Sequence, residues 1–121
     1  MKNPEFESYQ RPNGHDEFVE WLDKLSIKDQ QKLLQVITDT EEQGLLVAQR
    51  MNWVKKVGVT RNLYELRSKV GKNIQRALYF HVEDERYVIT HGFTKKTQKT
   101  PIFEIKHAIS LRKEWYEQNE N

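Results

Sequence analysis

The feature that most constrains this chain is a change of period at Leu63. Beyond it, apolar residues gather in three short runs, Leu63–Lys69 (LYELRSK), Ile74–Val82 (IQRALYFHV) and Tyr87–Phe93 (YVITHGF). Val70-Gly71-Lys72-Asn73 separates the first two, and the acidic Glu83-Asp84-Glu85 separates the last two. Short runs rich in β-branched and aromatic residues, bounded by turn-formers, predict strands. Gaps this small leave room only for tight reversals, so the strands are expected as two hairpins in series, an antiparallel meander.

Upstream the period is helical. Phe18, Trp21, Leu22 and Leu25 fall at i, i+3, i+4 and i+7, which predicts a helix over Asp16–Leu25 after a turn at Asn13-Gly14. Ser26, with Asp29 three residues on, is placed to cap a second helix carrying Leu33, Leu34, Ile37 and Thr40–Glu41 and ending at Gly44. Leu45–Trp53 reads as further helical turns, Lys55–Asn62 as a loop, and Glu5–Gln10 as a short edge strand. Thr100-Pro101 predicts the start of a last helix, with Thr as cap and Pro in the first turn. Ile105, Ala108, Ile109, Arg112 and Tyr116 line one face of it. The expected fold class is α+β: an N-terminal helical hairpin, a small antiparallel meander sheet and a C-terminal helix. At 121 residues it is expected to be a single domain.

There is no cysteine, so disulfides and thiolate metal sites are excluded. The N-terminus MKNPEFESYQ lacks the apolar core of a secretion signal, and no apolar run approaches a membrane span. A cytoplasmic protein with no membrane partner is expected. His15, His81, His91 and His107 are scattered, and no carboxylate cluster joins them, so neither a metal nor another cofactor is expected. No glycine-rich phosphate loop or nucleophile elbow is present.

Net charge is only +2, but it is unevenly placed. Residues 61–81 carry Arg61, Arg67, Lys69, Lys72 and Arg76 against Glu65 alone, and residues 91–101 (HGFTKKTQKTP) add Lys95, Lys96 and Lys99 against no acid. A nearly neutral chain with one strongly basic region resembles a protein with a site more than a sticky cation. Alternation puts Arg76 on the face of Ile74, Leu78 and Phe80, and Arg67 on the face of Leu63, Glu65 and Lys69. If the two strands pair across Val70–Asn73, the arginines become neighbours, and the lysine loop reaches one end of the same sheet. Like charges gathered in this way repel unless an anion sits between them.

Arginine's fork matches phosphate oxygens and lysine adds point charge. Tyr64 and Tyr79, interleaved with the bases, offer stacking surfaces, and Lys69, Lys72 and Lys99 offer further RNA contacts. Dense positive charge could stabilise the phosphorane of RNA cleavage, and a lysine crowded by cations could transfer a proton. The alternatives are a solvated basic face, an Arg67–Glu65 structural ion pair, and a His91 held by the backbone.

The order of ELR (Glu65–Arg67), R-x-x-Y-F (Arg76–Phe80) and HGFTKKTQKTP (His91–Pro101), running into a C-terminal helix, resembles the RelE/ParE superfamily of type II toxins. Within it, the phage-related HigB-like toxins are the most similar, and the resemblance covers about Leu63 to Tyr116. It implies a RelE-like α+β toxin that cleaves mRNA on the ribosome without a metal. It also implies silencing by a cognate helix-turn-helix (HigA-like) antitoxin. Carried onto this chain, Arg67 and Arg76 would clamp the scissile phosphate, and Lys95 or Lys96 would orient substrate or shuttle a proton. Lys99 would contact RNA, and His91 is a candidate acid/base because imidazole titrates near neutrality. RelE-like nucleases often use a Tyr or His near the C-terminus; here Trp115 and Tyr116 sit at core-like spacing. The general base is thus unassigned. A ParE-like toxin that inhibits gyrase without cutting RNA, or a plain nucleic-acid-binding module, is the alternative.

Overall fold

The computed structural model describes residues 3–95 and 99–120. Nine elements follow one another: β1 (Glu5–Ser8), α1 (Glu17–Asp23), α2 (Ile27–Gln43), α3 (Leu45–Arg50), β2 (Val54–Lys56), β3 (Tyr64–Val70), β4 (Asn73–Glu83), β5 (Arg86–Lys95) and α4 (Ile102–Asn119). The strands form one sheet in the order β1-β5-β4-β3-β2. The expected meander is its centre: β3 and β4 turn back at Gly71-Lys72, and β4 and β5 at Asp84-Glu85, both antiparallel. The sheet is nevertheless mixed, because β1 joins the outer edge of β5 in parallel.

The α+β class holds, with several local departures. Lys55 and Lys56, expected in a loop, belong with Val54 to a third antiparallel strand pair, in which Val54 stands opposite Leu66. Leu34, expected on the buried face of α2, is 45% exposed, and Val36 takes its place in the core. The predicted start of α4 is displaced by one residue. Pro101, not Thr100, occupies the cap position, with no side-chain cap, because the Thr100 hydroxyl is bonded elsewhere. Leu111 and Trp115 contribute more to the packed face of α4 than Tyr116 does.

Both helix starts read from the first third form as expected. Asp16 accepts from the Val19 amide, and Ser26 from the Asp29 amide, which satisfies donors the helix itself cannot. Gly44 stops α2 and begins α3 at a φ of 90°, a conformation that side chains with a Cβ rarely adopt.

The helices divide between the two sheet faces. α1, α2 and α3 cover Leu66, Ala77, Tyr79 and Ile89, forming a core with Phe18, Leu22, Leu33, Val36 and Ala48. Gly92 on β5 lets this layer close, because a Cβ there would overlap the indole ring of Trp21. On the other face α4 packs Ala108 against Leu63, Leu78 and Phe93, and Leu111 against Tyr9, Phe80 and Val88. The helix-α4 side is also where the basic residues gather.

Candidate functional site

Register assembles the site. In β3 and β4, Arg67 stands directly opposite Arg76, and Arg76 in turn opposite Phe93 of β5. One row further, Lys69 faces Ile74, which faces Lys95. One row the other way, Lys55 of β2 faces Glu65, which faces Leu78, which faces His91. Each pairing repeats on one side of the pleat, so Lys55, Glu65, Arg67, Arg76, His91 and Lys95 share a face.

At the centre is a buried ion pair between Arg76 and Glu65, with side chains 1% and 3% exposed. The Glu65 carboxylate also accepts from Thr100 Oγ1 at 3.0 Å, and Arg67 Nε lies 4.0 Å away. Burial pushes the Arg76 guanidinium below its ordinary pKa, opposed by Glu65 and reinforced by Arg67. Removing Arg76 would strand a carboxylate in the interior, so its first role is to hold the sheet together.

Lys95 is a different case. It ends β5 at 3% exposure, and among the described residues its ammonium has no hydrogen-bond partner. Burial first, then the charge of Arg76, lowers its pKa from 10.5 to about 8; Lys55 and Arg67 add to the effect and Glu65 opposes it. An ammonium withdrawn from water beside three other cations is costly unless an anion approaches. Arg67 is the partly open member of the group, its side chain 25% exposed.

The other predicted residues scatter. His91 is buried in a fixed network: Nε2 lies 3.1 Å from Glu104 Oε1, Nδ1 lies 3.1 Å from Thr90 Oγ1, and the ring meets His107 edge-on. Burial holds its pKa below the ordinary value despite Glu104, which favours the neutral ring that bonds Glu104 through Nε2–H. Its role as a proton donor to substrate is not favoured by this placement, which fastens β5 to α4. Tyr64 and Tyr79 do not join the basic cluster either. They stack on each other at 5.5 Å on the opposite face, because their positions have the other parity in β3 and β4. Lys69, Lys72 and Lys99 are exposed, and Lys96 lies outside the described residues. Among the described residues no group of three or more His, Asp or Glu side chains is placed to hold a metal ion, and no helix is long and apolar enough to cross a membrane.

Sequence reasoning missed two members. Lys55, expected in a loop, lies on strand β2, which brings it, still exposed, beside the cluster. Glu65 was paired with Arg67, although its closer partner is Arg76. The available signal was that Glu65 is the lone acid of residues 61–81 and has the parity of both arginines.

The architecture and the cluster define a class, a small α+β module with a cationic patch on one sheet face. The family model for phage-derived Gp49-like proteins (DUF891) matches residues 20–113, and the chain belongs to that family. This membership is consistent with a toxin-like module. A comparison with curated proteins finds no match.

Proposed function

We propose that the protein is the toxin of a type II toxin–antitoxin pair and cleaves mRNA on the ribosome in the cytoplasm. The observation that carries the proposal is Lys95, a buried ammonium without a hydrogen-bond acceptor among the described residues, beside Arg67 and Arg76. A phosphodiester supplies what is missing there, a diffuse negative charge with several acceptor oxygens. Arg67, the open member, meets the phosphate first. Lys95 and Arg76 place positive charge behind it, where the dielectric is low and each charge acts more strongly.

In the reaction the RNA 2′-oxygen attacks phosphorus and the bond to the 5′-oxygen breaks, leaving a 2′,3′-cyclic phosphate and a 5′-hydroxyl. The 2′-hydroxyl loses a proton and the departing 5′-oxygen gains one. An amine with a pKa of about 8 holds both protonation states near neutral pH and is suited to one of these transfers once substrate binding uncovers it. The resemblance to HigB-like toxins adds the expected silencing partner, a helix-turn-helix antitoxin.

The test is to map RNA 5′ ends after induction of the wild type, Arg67→Ala and Lys95→Ala, with circular dichroism to check folding. Arg67 is chosen over Arg76 because its removal leaves the Glu65 ion pair in place. Wild type is expected to produce new 5′ ends in translated messages, and Arg67→Ala to reduce them by about 100-fold. Intact messages accompanied by DNA breaks would overturn the RNA reading in favour of a gyrase poison.

A further inference from the structure

The tyrosines excluded from the basic cluster form a site of their own. Where α3 ends, the helical layer leaves one end of its sheet face uncovered, and a cavity of about 710 Å³ opens there. Its floor is Tyr79, 2% exposed, and its walls include Tyr64, Tyr87 and His81. The rings are already arranged against one another: Tyr64 stacks on Tyr79 at 5.5 Å, Tyr87 meets Tyr79 edge-on at 5.7 Å, and His81 lies 5.0 Å from Tyr87. Lys56 and Arg61, both exposed, stand on the same cavity wall. Burial first, and then Tyr87 and Tyr64, oppose the ionisation of Tyr79, so its hydroxyl stays protonated beside theirs. Among the described residues no acidic side chain lines the cavity.

Flat π-faces, convergent hydroxyls and cations without acids make a site for a ring that carries negative charge. A nucleotide has these parts: a base to stack, a sugar to hydrogen-bond and a phosphate to meet lysine and arginine. The volume lies within the range of small-ligand sites. A second observation narrows the source. β2 is the edge strand, and its consecutive lysines alternate in register, Lys55 opposite Glu65 of the basic cluster and Lys56 opposite Tyr64, while both border the tyrosine cavity. Positive charge therefore continues round the sheet edge from one site to the other.

We propose that the Tyr64–Tyr79–Tyr87 cavity binds a nucleotide, either free or as one residue of a single-stranded RNA that crosses the β2 edge. The proposal concerns binding and does not depend on the chain cutting RNA.

Titration of the full-length protein with adenosine and uridine 5′-monophosphates, and separately with a 2′-O-methyl hexaribonucleotide that cannot be cleaved, tests it by NMR. Ring signals of Tyr64, His81 and Tyr87 are expected to shift, and Lys56→Ala/Arg61→Ala to weaken binding about tenfold. Tyr87→Phe, which keeps the ring, is expected to weaken it less. A hexamer binding more than tenfold tighter than the monophosphates identifies the strand as the ligand; equal affinities identify the free nucleotide. Absence of binding, or shifts confined to the Arg67 side of the sheet, would overturn the proposal. So would an affinity unchanged in Lys56→Ala/Arg61→Ala.

Discussion

Lys95 and Arg76 show how one short stretch of sheet holds two buried cations with opposite consequences. Arg76 has a carboxylate to answer it, and its loss would damage the fold. Lys95 has no hydrogen-bond partner among the described residues, and the distant help of Glu65 does not offset its burial beside Arg76, so its charge opposes folding. The sign follows from its lowered pKa. Below about pH 8 the native state holds the proton in an unfavourable place, while the unfolded chain holds it freely up to 10.5. The penalty is therefore full at pH 7 and fades as pH rises from 8 to 10.5, amounting to about 3 kcal/mol at most. Lys95→Met, similar in length and apolar, is expected to be about 1–3 kcal/mol more stable than wild type in urea at pH 7. The gain should shrink steadily by pH 10. A stability difference independent of pH would mean that no buried ammonium is involved. If Lys95→Met also loses RNA cleavage, the charge is being kept for function at the expense of stability.

Among the elements, those whose partners are close in sequence were legible and those with distant partners were not. The two-residue turn at Gly71-Lys72 fixes the β3–β4 register, so the Arg67–Arg76 juxtaposition follows from counting outward from it, whereas the β4–β5 register shifts at Leu78/Tyr79 and at His81/Glu83 and could not be counted from its turn. The cap at Ser26 is a local signal and read correctly, and the helix expected from Asp16 begins beside it, with Asp16 itself as the cap. β2 escaped because three residues, VKK, show no alternation, and its pairing is supported from outside by Trp53, whose carbonyl accepts from the Arg67 amide at 2.8 Å. The displaced start of α4 has the same cause: Thr100 bonds Glu65, 35 residues earlier, and so is not its helix cap. The burial of Lys95 was hidden by its lysine-rich neighbours, which suggest a solvated loop. Gly92 belongs to this scale too, since its meaning appears only once α1 lies on β5. A Cβ there would strike the Trp21 ring, which is held against Phe18 at 6.0 Å. Gly92→Ala is expected to destabilise the protein by about 1–3 kcal/mol in thermal or urea unfolding. Adding Trp21→Ala should relieve part of that loss, so the double variant would be less unstable than the sum of the singles. Strict additivity would show that α1 does not press on β5 at this point.

At the scale of the whole molecule, the segment after β1 is tied to both helical layers by one residue. Arg11 bonds Glu17 of α1 at 2.8 Å and Glu114 of α4 at 3.0 and 3.1 Å. Glu114 also accepts from the Tyr9 hydroxyl at 2.9 Å, and Glu17 accepts from His107 Nε2 at 2.6 Å. Two elements on opposite sides of the sheet therefore share a single guanidinium at its border. Arg11 is the main cause holding the Glu114 carboxyl below its usual pKa. Burial alone would raise Glu17, but His107 and Arg11 together hold it low as well. Carboxyls lowered in the native state stabilise it fully above their unfolded pKa, and that contribution is lost as pH falls through the lower native values. Tyr9 behaves in the reverse sense. Burial and the bond to Glu114 push its pKa up to about 12, so its contribution is lost as pH rises from 10 towards 12. Arg11→Met, which keeps the apolar stem, is expected to lower stability by about 1–2 kcal/mol at pH 7, the bridge being partly exposed and screened. The two proteins should then converge as the pH falls below about 4, because protonation of Glu17 and Glu114 abolishes in wild type what the substitution has already removed. Urea unfolding of both proteins between pH 3 and 7 measures this directly. Parallel curves with a constant offset would show that Arg11 contributes packing rather than charge, and would leave His107–Glu17 as the polar link between the two layers.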